Sequence, residues 1–208
     1  MRFSYRDRKI LDIESAYFPS GTITAITGPN GCGKTTLARI LCGLATPQRG
    51  GTIRLDGRVL SEAARTRESY VVMQDVGRQL FSESVLDEVT LGLDAKDRAE
   101  VDVAALLAGV QLTGMEQRHP QSLSGGQRQR LVIASAMAQP SRVTIFDEPT
   151  SGVGRAHLQA IAGQMRALAE AGHVVIVITH DEELIDSCAD AALHLPDINH
   201  AREDSETR

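Results

Sequence analysis

The chain has 208 residues and a net charge of −5, enough for one large domain that buries its own core without disulfide staples. The mild negative charge and the lack of a long basic run give no support to nucleic-acid binding, and three scattered cysteines without zinc or Cys-x-x-Cys spacing fit a reducing cytosol. Residues 1–9 lack the apolar core of a signal peptide, and no apolar stretch approaches the roughly 18 residues of a spanning helix, so any link to a membrane must run through a partner.

Residues 2–5 read as a short strand, and residues 10–18 alternate loosely as another, stopping at the turn signal Pro19-Ser20-Gly21. The β-branched run 22–27 leads into Gly28-Pro29-Asn30-Gly31-Cys32-Gly33-Lys34-Thr35-Thr36, and a helix-like segment, 36–43, leaves it. Strand, glycine loop and helix is the setting of a phosphate-binding loop. Glycines let the backbone N–H groups of residues 28–36 converge on phosphate oxygens, and the helix start adds unpaired amides and a positive dipole end. Lys34 then reaches the β- and γ-phosphates, and the Thr35 hydroxyl binds Mg²⁺. The ligand is thus a nucleoside triphosphate with its magnesium.

After a loop over 46–51, residues 52–55 form an exposed strand ending at the hairpin turn Asp56-Gly57. Residues 70–73 are an apolar strand with Gln74 at its end. From 75 to 120 the pattern turns helical. Ser84 caps a first helix with Asp87 and Glu88 in its first turn, and a second runs over 97–110 with Val101, Ala104, Ala105 and Ala108 on one side. Ser124-Gly125-Gly126-Gln127 opens a helix over 128–138, ended by Pro140. The strand 142–146 ends in Asp147-Glu148. An amphipathic helix spans 156–171, with Leu158, Ile161, Met165 and Leu168 on one face and Gly172 closing it. The continuous apolar run 173–179 reads as a strand covered on both faces, ending at His180. A last strand covers 191–195, and the polar tail 197–208 is expected to be disordered.

Strands alternating with helices imply an α/β fold with a parallel sheet, whose ligands bind beyond the carboxyl ends of the strands. Gly28, Gln74, Asp147 and His180 each follow a candidate strand, so they converge on one crevice. Asp147 can hold Mg²⁺ directly or through water. Glu148, next along the backbone, points elsewhere and can polarise an attacking water. His180 can hydrogen bond the γ-phosphate and orient that water, and Gln74 can ligate Mg²⁺ or water through its amide oxygen. Each of these last two, taken alone, reads equally as an ordinary structural residue.

Leu123-Ser124-Gly125-Gly126-Gln127 lies about 20 residues before Asp147-Glu148, and with the phosphate loop upstream this order closely resembles the nucleotide-binding subunit of ATP-binding-cassette (ABC) transporters over nearly the whole chain. The resemblance implies a P-loop NTPase core (1–75 and 121–196) with an N-terminal antiparallel β subdomain and an inserted helical subdomain (76–120), together a single ATPase domain over 1–208. Ser124, Gly125 and Gly126 open a helix with bare amides, a second anion site that one nucleotide does not need from one subunit. The family resolves this by head-to-tail dimerisation, each ATP lying between one subunit's phosphate loop and the other's 124–127 element. By the same resemblance Tyr5, about 23 residues before Gly28, stacks on adenine, with Phe3 the lesser candidate. Residues 74–85, with Gln79-Leu80-Phe81, look like the matching stretch in ATPases of energy-coupling-factor importers, which take up vitamins or transition-metal ions. That loop would form one wall of a groove for a cytoplasmic helix of a membrane subunit, and would place this chain at the cytoplasmic face of the membrane.

Two positions depart from the family. Gly154 stands where an interface aspartate is usual, which suggests a heterodimer with a second ATPase whose loop is intact. Cys32 stands where serine is common; its thiol is expected near the phosphates and shielded by MgATP. Little follows residue 195, so the sequence reads either as a minimal subunit or as half of a tandem protein. The alternatives are a non-transport ATPase of the same superfamily, in DNA maintenance or on ribosomes, and a degenerate ATP-binding regulator. The insertion shows no sustained heptads and the chain has no basic linker, against the first; retained Lys34, Asp147, Glu148 and His180 weigh against the second.

Overall fold

Apolar strands follow residue 22, and the computed structural model gathers five of them in one sheet with a core on each face. It describes residues 2–5, 8–47, 51–73, 75–150 and 155–196, without the side chains of 2–5, 8–10, 12 and 155–157. Arg2–Tyr5 (β1) and Arg8–Asp12 (β2) pair antiparallel. Ile23–Thr27 (β3) leads to Lys34–Leu41 (α1). Arg54–Leu55 (β4) and Arg58–Val59 (β5) form a hairpin across Asp56-Gly57. Glu62–Glu68 (α2) is followed by Ser69–Val72 (β6) and a 3-10 turn over Val76–Arg78. Val85–Val89 (α3), Ala95–Glu100 (α4) and Val103–Gly109 (α5) make up the helical stretch. Gly125–Ala138 (α6), Val143–Asp147 (β7), Arg155–Glu170 (α7), Val174–Ile178 (β8), Glu182–Cys188 (α8) and Ala191–His194 (β9) complete the order.

Among the described residues β6, β7, β8, β3 and β9 form a parallel sheet in that order. Ile23, Ala25, Val175 and Val177 face one core with α6 and α7, while Ile26, Ile145, Val174, Ile176 and Ile178 face the other with Leu37 and Ile40 of α1. The first core extends without a break to Val85, Val89, Leu107, Val110 and Leu112, so the helical stretch is packed onto the sheet layer and not merely tethered to it. On α7 the buried residues include Leu158, Ile161, Met165 and Leu168, the face expected from the sequence.

Several expectations need correction. The strand expected over 10–18 is β2, which ends at Asp12; beyond it Ile13 and Phe18 pack against the second core, but Glu14, Ser15 and Ala16 between them are exposed and Tyr17 is 84% exposed, so no alternating apolar face continues. The helix expected over 97–110 is two helices. Asp94 caps α4 and Asp102 caps α5, each accepting first-turn backbone N–H groups, and Val101 between them is extended. After that break α5 turns Leu107 inward and leaves Ala104, Ala105 and Ala108 exposed, because the larger side chain removes more apolar area from water. Two short helices, α2 and α8, were not anticipated. Their N-caps, Ser61 and Asp181, accept from Ala64 N and Leu184 N.

Candidate nucleotide site

Three of the four strand-end positions fall on neighbouring strands: residue 28 after β3, Asp147 at the end of β7 and His180 after β8. Gln74, expected after β6, lies outside the described residues, as does Gly154; the side chain of Tyr5 is likewise outside them.

The loop from Gly28 to Gly33 depends on backbone that side chains resist. Gly28, Gly31 and Gly33 all have positive φ, and a Cβ at Gly28 would lie 2.4 Å from the Leu195 carbonyl oxygen. Gly33 is the N-cap of α1 and provides no side-chain cap, which leaves the first amides of the helix for a ligand. Lys34, only 8% exposed, folds back over the loop, its Nζ donating to Gly28 O at 2.7 Å and Pro29 O at 3.0 Å. Pro29, Asn30, Gly31 and Thr35 are exposed and Thr36 is half-buried. Cys32 departs from expectation: its thiol is buried with Ile26, Leu37 and Leu195, so the protein itself shields it.

Asp147 is half-buried and within hydrogen-bonding reach of Thr35. Burial, and then the neighbouring Glu148, push its carboxyl above the ordinary range, while Arg39, Thr35 and Lys34 pull it down. A desolvated carboxylate beside a hydroxyl and a second carboxylate suits a cation. Among the described residues no three His, Cys, Asp or Glu side chains form a protein-only metal cage. Asp147 with the Thr35 hydroxyl is a donor set that fits Mg²⁺, which takes one or two carboxylates and completes its shell with phosphate and water.

Glu148 has φ +50°, a left-handed conformation unusual for its residue type, and its N–H donates to Ile178 O at 2.9 Å. That bond ties the end of β7 to β8 and turns the side chain toward His180, whose Nδ1 lies 3.0 Å from Glu148 Oε2. The two candidates for handling water therefore touch directly. Ser124 and Gln127 close a capping box at the start of α6: Ser124 Oγ accepts from Gln127 N, and Gln127 Oε1 accepts from Ser124 N at 2.9 Å. Beside them a Cβ at Gly125 would meet nothing within 4 Å, so this helix start presents an open face. Among the described residues the side-chain bonds of Ser124 and Gln127 stay within their own turn or reach Met115, and none runs to the phosphate loop. Two neighbours were not singled out from the sequence. Arg39 of α1 faces Asp147, and Gln129 of α6 donates to Pro149 O at 3.3 Å, joining α6 to the segment after Glu148. Only the helical spacing of Arg39 after Thr35 could have pointed to the first; nothing local signals the second.

Comparison with known proteins agrees with this geometry. The ABC transporter family model matches residues 11–151. An ABC transporter ATP-binding protein of Treponema denticola is 47% identical over 175 residues, 84% of this chain but 35% of the relative, so the chain spans about a third of that protein's length. One from Pyrococcus abyssi is 39% identical over 204 residues, covering 94% of this chain and 77% of the relative. The solved structure of cbiO1 from Clostridium perfringens, described as part of the ABC transporter complex cbiONQ, superposes with a TM-score of 0.82 over 99% of this chain and 89% of its own, at 24% identity, a likeness of fold. Phosphate loop, paired strand-end carboxylates, histidine and capped 124–127 element thus occur together in a chain that belongs to the ABC transporter family as an ATP-binding ATPase domain.

Proposed function

We propose that this chain holds MgATP on residues 28–36, hydrolyses it with Glu148 and His180, and in a head-to-tail pair with a second ATP-binding domain powers a membrane importer. The observation that carries the chemistry is the Glu148–His180 contact at the ends of β7 and β8, beside the phosphate loop after β3. Lys34 exchanges the carbonyls of Gly28 and Pro29 for β- and γ-phosphate oxygens, a charge-assisted bond replacing two bonds to neutral acceptors. Thr35, Asp147 and Gln74 are the residues that would hold Mg²⁺, which when bound supplies positive charge against the phosphates. Glu148 accepts the proton of the attacking water. With Nδ1 of His180 turned to Glu148, its Nε2 is the nitrogen left for the γ-phosphate. Tyr5 stacks on the adenine.

Ser124, Gly125, Gly126 and Gln127 serve the nucleotide of the partner domain, and closure of the pair around ATP is the mechanical step. Gly154 favours a non-identical partner. The membrane subunit docks near residues 74–81, where Phe81 is 77% exposed while Leu80 is buried in the core. The Gln79-Leu80-Phe81 pattern favours an importer of the vitamin or transition-metal-ion class, at the cytoplasmic face of the membrane. A match to a sulfate/thiosulfate import ATP-binding protein of Burkholderia mallei, 37% identical over 202 residues, supports the import direction.

Affinity purification of the tagged chain from native membranes tests this reading. An integral membrane subunit and a second ATP-binding domain are expected in the eluate. Recovery of ribosomes or DNA instead, or hydrolysis by the purified chain alone at a transporter-like rate with positive cooperativity, would overturn the transport or the heterodimer reading respectively.

A further inference from the structure

The loop after β6 is exposed at its tip and anchored from below. The N–H groups of Phe81 and Ser82 both donate to Oε2 of Glu88, at 2.9 and 2.8 Å. Glu88 is 4% exposed, and among the described residues no lysine, arginine or histidine pairs with it. A buried carboxylate without a cation needs donors, and these two amides supply them. The Ser135 hydroxyl, 2% exposed on α6, shares its one proton between the backbone carbonyl of Glu88 at 3.3 Å and Leu131 O of its own helix at 3.1 Å.

The same place is braced from the sheet. Gln79 clamps the free edge of β6, its Nε2 donating to Val71 O at 2.6 Å and its Oε1 accepting from Met73 N at 3.0 Å, as a neighbouring strand would. Tyr70 of β6 hydrogen bonds with Gln79 and Ser135 and lies near Glu88; burial first, and then that charge, push its phenol up to about 12. Gln121, three residues before Ser124, donates to Gly77 O at 2.9 Å and Leu80 O at 3.3 Å.

We infer that Glu88 is a positioning residue that couples the Phe81 loop to α6: its carboxylate fixes the backbone under Phe81, and its main chain is anchored through Ser135 to the helix that begins at Gly125. Gln121, which holds the carbonyls of Gly77 and Leu80, is a second tie between the same loop and the approach to Ser124. The inference rests on the proposed docking role of this loop only for its use; the link itself is a property of the chain.

Amide hydrogen exchange of the full chain, read at Phe81 and Ser82 with the β8 amides as reference, tests it. Glu88→Ala removes the acceptor, and exchange at both amides should rise about tenfold or more while β8 is unchanged. Glu88→Gln keeps an acceptor of the same shape without the charge and should give a smaller rise. Ser135→Ala should also speed exchange at 81 and 82, and the Glu88→Ala/Ser135→Ala double variant should exchange no faster than Glu88→Ala alone. Unchanged exchange at 81 and 82 in Glu88→Ala or Ser135→Ala, a rise equal at 81, 82 and β8, or additive effects in the double variant would overturn the link. Confirmed exchange effects alongside a purification that yields no membrane subunit would leave the link standing and remove the docking reading.

Discussion

Gly28→Ala tests whether the loop is shaped by its backbone and its close contact with the end of the sheet. At φ +142° a side chain is strained, at roughly 1–3 kcal/mol for a residue forced into a sparsely populated region. The added Cβ would also stand 2.4 Å from Leu195 O and 2.9 Å from Cys32 Sγ. Neither neighbour gives easily, since one is backbone beyond β9 and the other is a buried thiol, and overpacking of this kind costs about 1–3 kcal/mol more. The sum is about 2–6 kcal/mol, relieved only by moving the loop. Gly31→Ala is the control. It also lies at positive φ, +81°, but its Cβ would meet nothing within 4 Å, so only the left-handed strain of about 1–2 kcal/mol applies. Urea midpoints and the affinity for a fluorescent ATP analogue separate the two. Gly28→Ala should lower the midpoint clearly more than Gly31→Ala and weaken nucleotide binding about tenfold or more, since each 1.4 kcal/mol of distortion is a factor of ten. Equal effects of the two substitutions on stability and affinity would refute the reasoning.

Glu148→Gln keeps the shape of the side chain and removes the base, so nucleotide affinity should persist while phosphate release falls about 10²–10⁴-fold; turnover within twofold of the parent would take Glu148 out of this role. Asp190 is held below the usual carboxylate range, first by Arg166 and then by the Ile23 N–H. A depressed folded-state value stabilises above the unfolded value and is lost as pH falls through the folded one, so Asp190→Asn should destabilise at neutral pH and the gap should close below about pH 4. A gap of constant size from pH 7 to pH 3, read by urea midpoints, would contradict that linkage. Cys32, Cys42 and Cys188 are all buried, and burial pushes the Cys42 thiol up to about 11. Alkylation of the native protein should therefore be slow at all three with or without nucleotide, and fast in urea; rapid native labelling of Cys32, checked by peptide mass spectrometry, would place its thiol outside the core.

Local chemistry made the catalytic strands legible. The β-branched run 22–27 before the glycines, the apolar strand 142–146 before Asp147-Glu148 and the continuous apolar run 173–179 before His180 all stand out, and their ends carry the polar residues that the parallel sheet gathers. The α6 start was legible because Ser124-Gly125-Gly126-Gln127 stands directly before the helix-like run 128–138, although the capping bonds of Ser124 and Gln127 were not read from it. The errors fall where the signal was split between competing cues. Asp102 sits inside an otherwise helical pattern, and its preference for capping Ala105 N outweighed continuity of the helix. Residues 13–18 mix apolar and polar types, and only Ile13 and Phe18 at the two ends pack against the core. For α8 the signal was present and unused, since Asp181 precedes Glu182 and Glu183 in the acid-rich manner of a helix start. Contacts such as Glu88 with Phe81 and Ser82, or Gln129 with Pro149, depend on where α3 and α6 dock, and no spacing in the chain encodes that.

The two helix starts proposed to meet ATP are built differently, and the difference orders their use. At α1 no side chain caps the first turn, and the residue that covers the loop is a lysine whose charge prefers phosphate to the two carbonyls it holds. At α6 Ser124 and Gln127 already satisfy each other's backbone donors. A phosphate arriving there finds the amides of Ser124 and Gln127 already bonded, so it meets fewer free donors and gains less than one arriving at α1. On the proposed function, ATP therefore fills the phosphate loop first, and the 124–127 element engages only when a partner surface adds further contacts. Such an order makes closure depend on bound nucleotide, because the weaker half of the site cannot hold it alone.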